Sequence, residues 1–217
     1  MHPVVFEFRQ CQNPTCGLRY PVQRDNTAGQ RCPICLGQTM IVGVIHAGQE
    51  TPTAEPGTAS QPELCALIDN VRSGLNVGSI FRSADGYGIA HLYLCGITPK
   101  PQTAEVAKTA LGSEQAMRWS AHRNAVGLVQ SLKGAGYCIW ALERTHDSKN
   151  IEAALAGAPP EQRRVLVVGN EQAGIDPGIL ELADKVVHLE MRGRKQSFNV
   201  AVAFAIAAHI MKRGRES

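Results

Sequence analysis

The sequence predicts an α/β fold in which a parallel β-sheet is flanked by helices, preceded by a small cysteine-rich module. From residue 63 onward, short runs that are apolar throughout alternate with stretches of helical pattern. Strands that are apolar on both faces, with helices between them, are typical of a parallel sheet covered on both sides. Four of the seven cysteines lie in the first forty residues, which indicates that this segment is organised differently from the rest.

Composition limits the classes of protein that the chain can belong to. With 44% hydrophobic and 19% charged residues among 217, it can bury a substantial core. The net charge of +3 allows a nucleic-acid partner only through local clusters of Arg and Lys. The apolar run at 200–211 is shorter than the roughly 20 residues that a membrane span needs. The start of the chain lacks the apolar segment of a secretory signal, so we expect a cytoplasmic protein without membrane contact.

Two cysteine pairs set the first 45 residues apart as a module of their own. Zn²⁺ prefers four thiolates in a tetrahedral arrangement, and two turns that each bring two sulfurs supply them economically. A segment this short buries little apolar surface, so a bound metal would provide most of its folding free energy. The spacing predicts a zinc-ribbon-like module over residues 1–45, with the structural ligands Cys11, Cys16, Cys32 and Cys35. Four unrelated buried or redox-active cysteines are the alternative.

Four arginines in this module leave two interpretations open, either solvated ribbon surface or contacts to RNA phosphates: Arg9, Arg19, Arg24 and Arg31. The next residues, 46–62, contain no aliphatic side chain larger than alanine and are dominated by Pro, Gly, Ser and Thr. Such a composition is typical of a linker. Residues 63–217 are therefore predicted to form a second domain.

The second domain is predicted to alternate strands and helices along its whole length. The strand-length apolar runs are LCALID, HLYLCG, YCIWALE, VLVVGN and KVVHLEM, with AMRWS as a weaker candidate. Helical patterns cover residues 77–87, 123–134, 177–183 and 198–212. The last of these is apolar nearly all the way round between Val200 and Met211, and a helix of that kind belongs in an interior.

Two common nucleotide-binding patterns are missing from the sequence. No G-x-G-x-x-G follows a predicted strand, and the G-x-x-x-x-G-K-[ST] pattern of phosphate-binding loops is absent. The sequence therefore does not favour a kinase or a nicotinamide-dependent oxidoreductase.

Three segments at the ends of predicted strands carry polar residues that packing does not require. They are DNVRSGLNVGSIFRSADGYG, which contains Asn76 and Arg82, VLVVGNEQAGI, which contains Glu171, and LEMRGRKQSFNVAVAFA, which contains Ser197 and Asn199. Open parallel sheets bind their ligands beyond the carboxyl ends of the strands. We therefore expect the three segments to form one site.

Together, in this order and spacing, the three segments resemble the motifs of the SpoU (TrmH-like) family of SPOUT RNA methyltransferases. The combination is N-x-G-x-x-x-R, then a strand followed by G-N-E-x-x-G, then L-x-M followed by S-x-N-V, and the resemblance covers about 155 residues. It implies a parallel sheet with a C-terminal deep trefoil knot, S-adenosyl-L-methionine as cofactor, a homodimer, and methylation of ribose 2′-hydroxyls in tRNA or rRNA. The last helix would be buried in the knot and the dimer interface.

The resemblance also implies a set of catalytic residues. They are Asn76, Arg82, Glu171, Ser197 and Asn199. Arg82 would activate the ribose hydroxyl electrostatically or anchor the adjacent phosphate, since an arginine is normally locked in its protonated form. Glu171 would pair with Asn199 or Arg82. Asn76 and Ser197 have a plainer alternative as N-caps, the first ahead of Val77 and the second for the last helix.

Binding residues follow from the same resemblance. Cofactor-binding residues are Gly169, Asn170, Gly174, Leu189, Met191, Ser197 and Phe198, with backbone groups around Leu189, Met191 and Phe198 forming the adenine pocket. Arg82, Arg192, Arg194 and Lys195 are the implied RNA-binding residues. Two positions depart from the family pattern: Glu190 stands where proline is usual, and Phe198 where leucine is usual.

Two other functions remain open from sequence. One is a non-catalytic RNA-binding or assembly factor that kept the fold, which the intact set of polar motif residues disfavours. The other is a SPOUT methyltransferase that modifies a base, which the S-x-N-V signature disfavours.

Overall fold

A computed structural model of the chain describes residues 4–26, 30–47, 63–195 and 197–213. The chain divides into two units, Met1–Ala59 and Ser60–Ser217. None of the helices within the described ranges has the length and hydropathy that a membrane span requires.

Three antiparallel strands make up the sheet of the first unit. They are β1 (Val4–Cys11), β2 (Arg19–Gln23) and β3 (Thr39–Ala47), in the order β2-β1-β3. The third extends to Ala47, two residues into the predicted linker. The rest of that linker lies outside the described residues.

The arginines of the first unit separate into two groups. The buried carboxylate of Glu7 accepts hydrogen bonds from Arg9 at 3.0 Å and from Arg24 at 3.1 Å. These two guanidinium groups therefore form ion pairs within the ribbon, which neither of the two interpretations included. Arg19 and Arg31 are exposed, and phosphate contact stays a hypothesis for them alone.

A seven-stranded sheet, parallel throughout, forms the centre of the second unit. Its order is β6-β5-β4-β9-β7-β10-β8. The strands are β4 (Leu64–Asp69), β5 (Leu92–Cys95), β6 (Trp119–His122), β7 (Cys138–Leu142), β8 (Lys149–Asn150), β9 (Arg164–Val168) and β10 (Lys185–His188). All residues of β4 and β9 are buried, as the unbroken apolar runs predict.

Helices cover both faces of this sheet. They are α1 (Gly74–Gly86), α2 (Ala104–Ala110), α3 (Ser113–Ala116), α4 (Ala125–Gly134), α5 (Ile151–Ala156), α6 (Pro177–Leu182) and α7 (Val200–Arg213). One core contains Phe81 of α1 and Phe204 of α7, and the other contains Val129 of α4 and Ile179 of α6. The α/β class, the parallel sheet and the flanking helices predicted from sequence are confirmed.

Four elements of the second unit were not predicted, namely α2, α3, α5 and β8. The three helices have four to seven residues and β8 has two. Periodicity needs a window of about 11 to 18 residues, so elements of this length leave no clear pattern.

The last helix is buried on one side only within the single chain. Its buried residues are Ala201, Phe204, Ala207, Ala208 and Met211. Val202, on the opposite side, is 48% exposed. The expectation of burial all round is therefore not met by one copy of the chain.

Candidate active site

The carboxyl ends of three neighbouring strands open onto a cavity of about 590 Å³. Its walls come from the residues that follow β7, β9 and β10, together with the start of α7. A cavity of this size suits a small-molecule ligand. The position matches the general rule that parallel sheets bind ligands beyond their carboxyl ends.

A chain of hydrogen bonds joins the three motif segments beside this cavity. The Glu171 carboxylate accepts the backbone N–H groups of Arg72 at 3.0 Å and Ser73 at 3.2 Å. It also accepts the side-chain amide of Asn76 at 3.0 Å. The amide of Asn199 in turn donates to Asn76 Oδ1 at 3.0 Å. Asn76 therefore lies between Glu171 and Asn199, so the predicted direct pairing of Glu171 with Asn199 or Arg82 is not found within one chain.

The environment of Glu171 favours its ionised form. Burial alone would raise the pKa of this carboxyl, but the hydrogen bonds from the Arg72 N–H and the Asn76 amide outweigh it and hold the pKa below its usual range. Glu171 is consequently a fixed negative charge at neutral pH.

Two helix caps differ from the predicted ones. Ser73 is the N-cap of α1 and accepts from the N–H of Asn76, so Asn76 is inside the helix. At α7, Asn199 Oδ1 accepts the N–H groups of Ala201 at 2.9 Å and Val202 at 3.4 Å. The N-cap interpretations of Asn76 and Ser197 are therefore wrong, and the side-chain cap of the last helix is Asn199.

Asp69, the last residue of β4, ties together the loops beneath the cavity. Its carboxylate accepts the N–H of Asp176 at 3.0 Å and the side-chain amide of Asn70 at 2.8 Å. The backbone carbonyl of Asn70 accepts the amide of Asn170 at 2.7 Å. Burial raises the pKa of Asp69, which is 1% exposed, and the Asp176 hydrogen bond opposes that rise. Asp69 was not among the expected site residues, because an aspartate at a strand end resembles an ordinary turn residue in sequence.

A closed turn after β9 forms one wall of the cavity. Asn170 and Gly174 exchange two backbone hydrogen bonds of 3.0 Å each, and Gly174 has a φ of 76°. A Cβ on Gly169 would lie 2.4 Å from the backbone of Gly174 and 2.5 Å from the nitrogen of Ile175. Only glycine fits at position 169 without moving that backbone.

We expect Gly169→Ala to weaken cofactor binding at least tenfold and to destabilise the chain by about 1–3 kcal/mol, because the added methyl group must displace backbone atoms. Calorimetric titration and thermal unfolding measure the two effects. Gly134→Ala is the matched control, since a Cβ there meets nothing within 4 Å. It should leave cofactor binding unchanged and the stability unchanged or slightly raised. Equal behaviour of the two variants would contradict the steric argument.

Comparison with known proteins identifies the family. The model of the SpoU rRNA Methylase family matches residues 63–209 of the chain. The chain belongs to this family. The predicted membership of the SpoU family and the predicted methyltransferase class are thereby confirmed.

Individual relatives of this SpoU methylase agree with the family match. The tRNA (guanosine(18)-2′-O)-methyltransferase of Aquifex aeolicus is 33% identical over 156 residues, 72% of each chain. The 23S rRNA (guanosine(2553)-2′-O)-methyltransferase RlmP of Bacillus subtilis is 30% identical, over 67% of this chain and 56% of that protein. A crystal structure of the A. aeolicus TrmH/SpoU tRNA modifying enzyme superposes with a TM-score of 0.64 at 31% identity, covering 72% of this chain and 77% of that one.

The structure of this SpoU methylase brings most of the expected site residues together. All seven expected cofactor-binding residues line the cavity: Gly169, Asn170, Gly174, Leu189, Met191, Ser197 and Phe198. The lining residues that were not expected include the charged pair Glu143 and Arg144. They come directly after β7, where a pair of charged residues ending an apolar run was the available signal.

Arg82 lies apart from the cavity of its own chain. It is exposed on α1, and within the described ranges no hydrogen bond or ion pair involves its side chain. The structure therefore does not bring Arg82 together with Glu171 and Asn199 in one copy of the SpoU methylase.

The expected RNA-binding residues of the loop before α7 are all exposed, namely Arg192, Arg194 and Lys195. Arg192 contacts the carboxylate of Glu190 at 3.5 Å. These cations flank the cavity segment that contains Met191 and Ser197.

A second candidate site, for a metal, lies in the first unit. The sulfurs of Cys11, Cys16, Cys32 and Cys35 all lie within 4.8 Å of one another. The Sγ–Sγ distance is 3.4 Å between Cys11 and Cys35 and 3.7 Å between Cys16 and Cys32. Tetrahedral Zn²⁺ with bonds of about 2.3 Å places its sulfurs about 3.8 Å apart. The cluster therefore fits a four-thiolate Zn²⁺ site.

Proposed function

We propose that the chain transfers the methyl group of S-adenosyl-L-methionine to a ribose 2′-hydroxyl of tRNA or rRNA. The observation that carries this proposal is the hydrogen-bonded chain Glu171–Asn76–Asn199 beside a cavity at the carboxyl edge of the sheet. The relatives named above methylate guanosine 2′-oxygens in tRNA and rRNA, and this supports the same reaction here. The chain spans 72% of the first of these relatives and 56% of the second.

The cavity fits S-adenosyl-L-methionine in size and chemistry. Apolar side chains of Leu189, Met191 and Phe198 offer a surface for the adenine, while Gly169 and Asn170 present backbone groups. When bound, the cofactor supplies an activated methyl group, so that no metal or covalent nucleophile is needed.

The chain's own residues position the reactants. Glu171 and Asn76 hold the start of α1 against the turn after β9, and Asn199 holds the start of α7 against Asn76. Such fixed placement is what an in-line displacement requires. The Ser197 hydroxyl lies on the cavity wall and is exposed, so it is available to the substrate.

A second copy of the chain is proposed to complete the site. The outer surfaces of α1 and α7 carry exposed apolar side chains, with Leu75 46% and Val202 48% exposed, and Phe198 before α7 is 39% exposed. Together with the apolar circumference of α7, these exposed side chains support an interface on this side of the helices. A homodimer through these helices would cover it and would let Arg82 serve the partner's cavity by electrostatic activation of the ribose hydroxyl or by phosphate anchoring.

RNA is proposed to lie across Arg192, Arg194 and Lys195. Their exposure next to the cavity supports phosphate contact, and counterion release then predicts that binding weakens steeply with salt.

Four further features belong to the same proposal. The first is a deep trefoil knot in the C-terminal part, and the second is a Zn²⁺-bearing ribbon over residues 1–45, joined by a linker to the methyltransferase domain over residues 63–217. The others are an RNA-recognition role for that ribbon and a cytoplasmic location. The family match over residues 63–209 and the Cys11–Cys16–Cys32–Cys35 cluster support the first two.

The function is tested by calorimetry with S-adenosyl-L-methionine and by mapping 2′-O-methyl sites in total RNA from cells with and without the protein. We expect cofactor binding and the loss of at least one ribose methylation in the deletion strain. Cofactor binding with a lost base methylation would favour a base methyltransferase. The absence of cofactor binding by the folded protein would favour a non-catalytic RNA-binding factor.

A further inference from the structure

Glu143 lines the cavity but has no role in the function proposed above. It is the first residue after β7, and its backbone N–H donates to the carbonyl of Val187 at 2.9 Å. The side chain is half-buried and lines the cavity. It therefore presents an acid between the segments that follow β9 and β10.

The carboxylate of Glu143 is held in place but is not saturated. Oε1 accepts the N–H of Arg144 at 3.2 Å, and Oε2 accepts the N–H of Ile175 at 3.1 Å. A carboxylate offers about four acceptor positions, so about two are left. Over the described parts of the chain, no cationic side chain forms an ion pair with it.

The turn after β9 fixes the direction of this side chain. A Cβ on Gly174 would lie 2.6 Å from Glu143 Oε2, so the carboxylate packs directly on the turn backbone. The other carboxylate of the cavity, Glu171, already accepts three hydrogen bonds from the α1 segment. Glu143 thus keeps about two acceptor positions for a ligand, against about one for Glu171.

The neighbours of Glu143 indicate which part of the ligand it meets. Arg144 donates to the carbonyl of Leu189 at 2.7 Å, and the Glu143 backbone is bonded to Val187, so this end of the cavity adjoins the apolar surface of Leu189 and Met191. That surface suits a flat purine. The group attached to the purine of an adenosyl cofactor is the ribose, which carries two neighbouring hydroxyl donors.

We propose that Glu143 binds the 2′,3′-diol of the cofactor's own ribose. This inference rests on the proposed function, because it takes the ligand to be an adenosyl cofactor. Hydrogen bonds to a charged acceptor are worth about 1.5–3 kcal/mol, so the diol accounts for roughly a ten- to hundredfold gain in affinity.

The experiment is a double comparison by calorimetry on the full chain. S-adenosylhomocysteine and its 2′-deoxy and 3′-deoxy analogues are titrated into the wild type and into Glu143→Gln, which keeps an oxygen for the Ile175 N–H. We expect the wild type to bind at least one deoxy analogue about tenfold or more weakly than the parent. In the variant, the parent binds about tenfold more weakly and the preference over the deoxy analogue shrinks to about twofold. Glu181→Gln, an exposed acid on α6, is the matched control and keeps the wild-type preference.

Three results would overturn the proposal. If the variant weakens all three ligands by one common factor, Glu143 has only a structural role, and a lowered melting temperature would accompany it. If the variant keeps the wild-type preference for the parent over the deoxy analogues, Glu143 does not bind the diol. If the wild type methylates RNA and binds all analogues equally, the diol is not recognised although the proposed function stands. The absence of any adenosyl-ligand binding by the folded wild type rejects the proposed function itself.

Discussion

Replacing Arg82 with alanine is expected to lower the rate of RNA methylation by about 10²- to 10³-fold, the usual cost of removing one electrostatic stabiliser from a transition state. The affinity for S-adenosylmethionine should stay unchanged, because Arg82 is proposed to act on the ribose hydroxyl or the phosphate of the RNA and not on the cofactor. The melting temperature should also stay nearly unchanged, since the side chain is exposed and has no partner within the described residues. Single-turnover methyl transfer, calorimetry and thermal unfolding separate the three quantities.

Two further variants sharpen this test. Arg82→Lys keeps the charge but loses the planar fork, so a partial recovery indicates electrostatic activation, and no recovery indicates bidentate phosphate anchoring. Arg118→Ala removes an exposed arginine just before β6, far from the carboxyl edge of the sheet, and should methylate at the wild-type rate. A rate for Arg82→Ala within twofold of the wild type would show that the assignment of Arg82 is wrong.

Mixing variants tests whether Arg82 acts across two copies of the chain. Arg82→Ala and Glu171→Ala each remove one part of the proposed composite site. If the arginine serves the partner's cavity, mixed dimers contain one cavity with both parts intact, and activity should recover to about a quarter of the wild type on statistical mixing of equal amounts. If both groups instead act within the same chain, every chain of a mixed dimer lacks one of them, and activity would not recover.

The sheet was predictable because its strands are buried on both faces. Every residue of β4 and β9 is buried, and this leaves short, nearly continuous apolar runs, which are typical of strands in a parallel sheet. The edge strand β6 is only half-buried, so its sequence gave a weaker signal. Short helices such as α2, which buries only Val106 and Ala110, are stabilised by contacts with distant segments. A local pattern cannot display such contacts.

The members of the site were predictable, but their pairing was not. Glu171, Asn76 and Asn199 stand out in sequence because they are polar where strands end. Which of them lie in contact depends on the mutual placement of loops separated by 95 and 123 residues. Asp69 was missed because an aspartate at a strand end is indistinguishable from an ordinary turn residue until its buried contacts are seen.

The apolar pattern of the last helix predicts more burial than a single copy of the chain provides. Its apolar circumference predicts burial on all sides, yet Val202 faces outward at 48% exposure. A second copy against this face would reconcile the pattern with the structure, and this supports the proposed homodimer.

Removing the proposed Zn²⁺ is expected to unfold the first unit. Among its described residues, only Glu7, Cys11 and Cys32 are buried. Large apolar side chains are instead exposed, with Ile34 at 72% and Leu36 at 67%. Without a hydrophobic core, the free energy of folding must come from the metal, which supplies about 10–16 kcal/mol in comparable thiolate sites. Three antiparallel strands alone would be marginal.

The direct test replaces Cys32, which is fully buried in the cluster, with serine. We expect the zinc content of the full chain, measured by elemental analysis, to fall from about one ion per chain to near zero. Limited proteolysis should then cleave between residues 4 and 47. Cys138→Ala is the matched control, because it removes a cysteine of β7 outside the cluster and should leave one zinc ion bound. The opposite result would be a wild-type chain that is purified in the presence of zinc, contains no zinc and still resists proteolysis in this segment. Because the protection would then need no metal, this result would mean that the four cysteines are unrelated.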